Sequence, residues 1–329
     1  MWNIIGQPKV VALLERGLEK GSLSHAYLFV GPRHVGKASL ALDLAQALNC
    51  EAVDRPCSSC SACTRISAGN HPDVQIIGLA SDKKTEVGID QIRDMQRASG
   101  LPPFEGQCKV FIIDNTENLS PEAANCLLKV LEEPLPQRVY ILLATAENLV
   151  MPTVVSRCQL VYLHPVSPVV IKEILIDRYD VPDDHAEKLS RLSKGCPGWA
   201  ISAIQNDSVF DERSEKLSTM LEIINADSDS RFSYAAELSS EFGKSRQYGD
   251  EILGLWLDWW RDLLLIKGGA TESITNLDRE SELHQHVVGY SLEQIKAFIQ
   301  GLLEARVMIR QNVNSRLVLD TLMLSMPRP

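Results

Sequence analysis

Apolar and polar positions follow two different periods along the first half of this chain. PKVVALLERGLEKG sets Val10, Leu13, Leu14 and Leu18 at helical steps, which predicts an amphipathic helix with Gly21 just beyond its end. AYLFV, from Ala26, is an apolar run of strand length that leads straight into a glycine-rich loop, and ASLALDLAQALNC then returns to helical spacing through Leu40, Leu44, Ala45 and Leu48. DVQII predicts a short strand, GIDQIRDMQRAS a helix, and KVFIID a buried strand. A further helix is predicted over SPEAANCLLKVLEE, with Ser120 as N-cap, Pro121 at its first position and Pro134 at its end. RVYILLAT and CQLVYL complete five candidate strands. Strands alternating with helices predict a parallel α/β sheet, with its ligand crevice at the carboxyl ends of the strands.

Beyond Pro165 the strand period disappears. Residues 166–205 read as short helices around KGCPGWA, and residues 208–329 as four or five longer ones. In ILGLWLDWWRDLLLI, Trp256, Trp259, Trp260, Leu263 and Leu264 recur at three- and four-residue steps, the stripe of a helical-bundle core.

A length of 329 residues favours two or three domains, and the apolar and charged fractions of 45% and 23% are those of a globular chain. The sequence holds no apolar run of the roughly eighteen residues needed to span a bilayer, and MWNIIGQPKV lacks a signal-peptide pattern, so a cytoplasmic location is expected. Charge is uneven. Residues 1–165 carry 15 Lys+Arg against 17 Asp+Glu, and residues 166–329 carry 18 against 26. The acidic second half argues against a lone binder of nucleic-acid backbones, which depends on cations that displace counterions.

Three patterns carry chemistry. In FVGPRHVGKAS, Gly31, Gly36 and Lys37 have the spacing of a phosphate-binding loop, whose backbone N–H groups and lysine face phosphates. The next residue, Ala38, has no hydroxyl to ligate Mg²⁺, and Ser39 comes one position late. Asp114, at the end of VFIID, suits a water-mediated contact with Mg²⁺, but Asn115 follows it where a base is needed to activate water. Glu117 is expected to face elsewhere. The second pattern is Cys50, Cys57, Cys60 and Cys63, whose C-x6-C-x2-C-x2-C spacing offers four soft ligands for a closed, structural Zn²⁺ site at 50–63; His71 is surplus to that shell. Cys108 and Cys126 read as buried free thiols. The third is Arg157 in PTVVSRCQ, read either as a locally paired arginine or as a guanidinium offered to a neighbour's phosphates.

With these residues in view, the chain resembles the delta-prime group of bacterial DNA polymerase III clamp-loader subunits, within the AAA+ family. The likeness runs through IIGQPKVVALL, SHAYLFVGPRHVGKASLALDLAQALNC, the cysteine cluster, IIDNTENLSPEAANCLLKVLEEP, PTVVSRCQ, KGCPGWA and NVNSRLVLDTLMLSM. It implies an AAA+ nucleotide-binding-like domain over 1–163, with a five-stranded parallel sheet and the zinc insert, then a helical lid over 164–207 and an all-α collar over 208–329. It implies a hetero-pentameric ring with motor (gamma/tau) and delta subunits, acting on the sliding clamp and primed DNA through the complex. Arg157 is implied as the finger that reaches a motor subunit's ATP, and Ile4 to Gln7 as lying near the adenine pocket. Motor subunits carry a Ser/Thr after the lysine, an Asp-Glu pair, and a lid arginine near Gly198. Here Ala38, Asn115 and the arginine-free GCPGWA depart from all three, so the loop reads as a relic or a weak, static ATP/ADP seat. Neither polymerase nor ATPase activity is expected of the isolated chain. Two rivals remain: an ATP-hydrolysing motor subunit, and a stand-alone zinc-dependent nucleic-acid binder.

Overall fold

The computed structural model of the protein describes residues 2–79, 86–206, 208–244, 246–311 and 313–328. Contacts divide the chain into two units, residues 1–174 with 195–199, and residues 175–194 with 200–329.

In the first unit, α1 (Pro8–Glu19) precedes β1 (Ala26–Val30), the glycine loop and α2 (Lys37–Asn49). The cysteine insert carries α3 (Ser61–Ser67). The alternation continues through β2 (Val74–Ile77), α4 (Ile89–Ser99), β3 (Lys109–Ile113), α5 (Pro121–Glu132), β4 (Arg138–Ala144), α6 (Pro152–Val155) and β5 (Gln159–Tyr162). Helix α5 starts as its sequence demands: the Ser120 hydroxyl accepts from Ala123 N, and Pro121 occupies a first-turn position where no N–H is needed.

All five strands are parallel, in the order β2-β3-β4-β1-β5. Leu28 of β1 stands between Leu142 of β4 and Leu160 of β5, and Ile112 of β3 between Ile76 of β2 and Ile141 of β4. Alternate strand residues serve opposite faces. Tyr27, Phe29, Ile112 and Ile141 pack with Leu40 and Leu44 of α2 on one side, while Leu28, Ile113 and Leu142 pack with Ile92, Met95 and Leu127 of α4 and α5 on the other. Covering both faces is what makes these strands continuous apolar runs. Helix α1 departs from its predicted face in one residue. Leu14 is buried, but Leu13 remains 47% exposed, so the apolar stripe of α1 is covered only in part.

Helix α7 (Pro168–Tyr179) crosses from the first unit into the second, which has no strand among its described residues. It holds α8 (Asp183–Leu192), the later part of α9 (Pro197–Gln205), then α10 (Ser208–Asn225), α11 (Ser228–Lys244), α12 (Arg246–Lys267), α13 (Glu280–Val287), α14 (Leu292–Arg310) and α15 (Ser315–Ser325). The tryptophan stripe is the core of this unit. Trp256, Trp259, Trp260 and Leu263 are fully buried, Leu264 is half-buried, and the Trp260 ring packs against Tyr290 at 5.0 Å and Phe298 at 4.7 Å between centroids. Among the described residues no helix is long and apolar enough to cross a membrane.

Candidate functional site

The strand order separates β1 from β3 by β4, so the loops leaving the carboxyl ends of these three strands meet over one crevice. Gly31 N donates to Ala144 O at 3.2 Å and ties the glycine loop to the end of β4. Gly36 N-caps α2 with φ 108°, and a Cβ there would run into the Ile4 side chain, so the position requires glycine. The N-terminal segment is held across α2: the backbone N–H groups of Asn3 and Ile4 donate to Asp43 Oδ2 at 2.7 and 2.9 Å. Gln7 Nε2 donates to His164 O at 2.6 Å. Ile4, from the segment implied to lie near an adenine pocket, therefore lies against Gly36 of the glycine loop.

Lys37 opens α2, and its Nζ donates to the loop's own carbonyls, Gly31 O at 2.7 Å and Pro32 O at 2.8 Å. Burial pulls its ammonium below the ordinary lysine value, and the nearby Glu117 and Asp114 carboxylates offset part of that. Ala38 adds only a methyl group. Asp114 follows β3, and its Oδ1 accepts from Asn115 N at 2.8 Å.

Glu117 corrects an expectation. Asn115 takes a left-handed conformation, φ 52°, and a 3₁₀ turn over Thr116–Asn118 follows. The chain doubles back, and Glu117 returns to the crevice. Its Oε1 accepts from Thr145 Oγ1 at 2.8 Å and Thr145 N at 3.2 Å, just past β4, and its charge, with that of Asp114, favours the Lys37 ammonium. A straight continuation of β3 would have turned residue 117 away.

The loop is covered from another direction. At the start of α9, Gly198 N donates to His34 O at 2.9 Å, and a Cβ at 198 would lie 2.9 Å from that oxygen. GCPGWA thus lacks an arginine at a place where, in this arrangement, no side chain fits.

The four cysteines of the insert converge. Cys50 ends α2, Cys60 N-caps α3 and Cys63 lies within it, and all four sulfurs, with Cys57, lie within 4.8 Å of one another. Cys57 Sγ is 4.0 Å from Cys63 Sγ, and Cys60 Sγ is 4.0 Å from Cys50 Sγ, so these are free thiols and not disulfides. Hydrogen bonds from Ser59, and from Cys60 N at 3.3 Å, bring the Cys57 thiol down to about 5, whereas burial pushes Cys63 up to about 12. Four convergent thiols on two helix ends and their loop can hold a soft metal ion in a closed shell.

His71 stands outside that shell, as its surplus position implied. Its Nδ1 accepts from Asp73 N at 3.2 Å and its Nε2 is 3.5 Å from Glu105 Oε1, which also pairs with Arg65 of α3 at 2.5 Å. Beside it the buried Asp73 carboxylate accepts from the backbone N–H groups of Phe104, Glu105 and Gly106 at 2.7, 2.9 and 2.8 Å. Burial alone raises the Asp73 value, but these donors outweigh it and hold the group below the ordinary carboxylate range. Cys108 is buried, while Cys126 is only partly so and donates to Gln96 Oε1 at 3.1 Å.

Arg157 lies just past α6. Its Nη1 donates to Thr153 O at 2.8 Å and Ser156 Oγ at 3.2 Å, and its Nη2 is 2.6 Å from Glu132 Oε1 at the end of α5. The side chain stays one-third exposed. Nothing in the spacing of PTVVSRCQ points to Glu132, whose place depends on how α5 packs against α6.

A five-stranded parallel sheet, a glycine loop at the end of β1 and a cysteine-cluster insert define an α/β protein with a loop of the phosphate-binding type. Residues 6–167 match the family described as DNA polymerase III, delta subunit. Over 322 residues the chain is 31% identical to DNA polymerase III subunit delta′ of Bacillus subtilis (strain 168), covering 97% of this chain and 95% of that protein. It is also 42% identical over 159 residues to DNA polymerase III subunit tau of the same organism, but this covers 48% of the present chain and 28% of tau. The chain belongs to the family of DNA polymerase III delta′ subunits.

Proposed function

We propose that this chain is a clamp-loader subunit of DNA polymerase III that helps place the sliding clamp on primed DNA by completing a neighbour's ATP site. The observation that carries this reading is the pairing of a defective loop with an intact guanidinium. Gly31, Gly36, Lys37 and Asp114 keep the outline of a nucleotide site, yet Ala38 and Asn115 supply neither a Mg²⁺ ligand nor a base. Arg157 keeps its fixed charge and its fork of donors at the exposed end of α6. In a ring, such a group stabilises charge developing on phosphates bound by the adjacent subunit.

The partners under this reading are motor (gamma/tau) and delta subunits in a hetero-pentamer. Residues 164–207 serve as a lid and residues 208–329 as the collar that joins the ring. Zn²⁺ is the ion assigned to Cys50, Cys57, Cys60 and Cys63, where it ties the insert together and takes no part in a reaction.

The test is reconstitution with the motor and delta subunits of the same genome. Arg157→Ala should leave this chain folded and depress the ATPase stimulated by clamp and primed DNA, by roughly 10³- to 10⁵-fold at the site served where the finger is essential. Unchanged ATPase and clamp loading would overturn the reading. The likeness to tau favours a second reading, a motor in its own right. Turnover by the isolated chain near one per second would establish that alternative, and none above background is expected.

A further inference from the structure

Arg157 does not project freely from α6. A guanidinium carries five N–H donors; here Nη1 donates to Thr153 O and Ser156 Oγ, and Nη2 lies 2.6 Å from Glu132 Oε1. Thr153 and Ser156 belong to the same turn of chain, so their contacts come with the local fold. Glu132 is different. It is the last residue of α5, brought to Arg157 only because α5 packs against α6, and among the described residues it is the carboxylate that pairs with this arginine.

The strength of the pair matters as much as its geometry. Both side chains are partly in water, Arg157 35% exposed and Glu132 49%. An ion pair of that exposure is weak: it selects one arrangement of a long side chain but does not withhold the guanidinium from a more highly charged partner. Among the described residues the Nε–H has no hydrogen-bond partner. An unrestrained arginine samples many rotamers, and each one that points away lowers the fraction of encounters with the guanidinium in place.

We infer that Glu132 is the positioning residue of Arg157, holding the guanidinium at the end of α6 so that it is already in place when a neighbouring subunit brings its nucleotide. The inference rests on the reading above, in which Arg157 serves that nucleotide. It adds a carboxylate from a different helix to the machinery of the finger, and it links the placement of α5 on α6 to the rate of the neighbour's hydrolysis.

The experiment uses the loader reconstituted with clamp and primed DNA, and four versions of this chain: Arg157→Ala, Glu132→Ala, Glu132→Gln and the double alanine variant. Glu132→Ala should lower kcat of the stimulated ATPase roughly 2- to 5-fold with KM for ATP unchanged. Glu132→Gln, which keeps an oxygen acceptor, should recover most of the rate. The double variant should be no slower than Arg157→Ala alone, because the two side chains act through one contact. In the isolated chain, ¹⁵N relaxation at Arg157 Nε should show greater mobility in Glu132→Ala than in wild type. If Arg157→Ala slows the loader and Glu132→Ala does not, or if the two losses add, the positioning role is overturned while the finger stands. If Arg157→Ala itself has no effect, both fall together.

Discussion

The backbone N–H of Gly198 donates to the carbonyl oxygen of His34 at 2.9 Å, so the start of α9 rests on the apex of the glycine loop. His34 is itself left-handed, φ 60°, which turns that carbonyl toward α9. Gly198→Ala would bring a methyl group to 2.9 Å from the same oxygen. The expected result is a loss of about 1–3 kcal/mol, as for other overpacked sites, read from the urea midpoint. An unchanged midpoint would mean that the segment yields without cost.

Lys37 provides a test of the loop as a working site. Its ammonium already has acceptors in Gly31 O and Pro32 O, and its neighbour is Ala38. Lys37→Ala should leave clamp loading by the reconstituted complex nearly unchanged. A loss comparable to that of Arg157→Ala would assign the loop an active role.

Metal analysis of the purified chain should find about one zinc ion per molecule, since four thiolates fill a tetrahedral shell. Cys50 closes α2 and Cys60 caps α3, so removing the ion releases both ends of the insert. Cys60→Ser, or a strong chelator, should lower Tm by roughly 5 °C or more. A metal-free sample with an unaltered melting curve would contradict the assignment.

Asp73 predicts a defined response to acid. Its folded value lies below the ordinary one near about 4, because three backbone N–H groups favour the charged form over the opposing effect of burial. A depressed carboxylate contributes stability that is fully present above its unfolded value and is lost as pH falls through the folded one. Asp73→Asn should therefore cost about 1–3 kcal/mol at pH 7, with the gap to wild type narrowing below about pH 4. Denaturation curves at both pH values measure it, and a gap that stays constant with pH would exclude the mechanism.

Much of the first unit was legible from spacing. The runs at Ala26, Lys109 and Arg138 became strands buried on both faces, and Ser120 with Pro121 marked the start of α5. The two C-x2-C steps marked three of the four cysteines, which fall in the loop before α3, at its cap and within it. Glu117 was misread because a left-handed residue at Asn115 reverses the chain, and asparagine tolerates that conformation without demanding it. Leu13 was misread because a helical stripe says which face is apolar, but not how wide the neighbouring surface is.

The amino-acid order by itself determined the elements, the glycine loop with alanine after its lysine, the asparagine after Asp114 and the grouping of four cysteines, since each depends on residues a few positions apart. Tertiary structure alone decided that β4 lies between β1 and β3, that Gly198 closes on His34, that Asp73 gathers the 104–106 backbone and that Glu132 meets Arg157. Those pairings join segments whose separation along the chain carries no periodic signal. They form only when apolar faces pack and bring polar groups from different elements within hydrogen-bond reach.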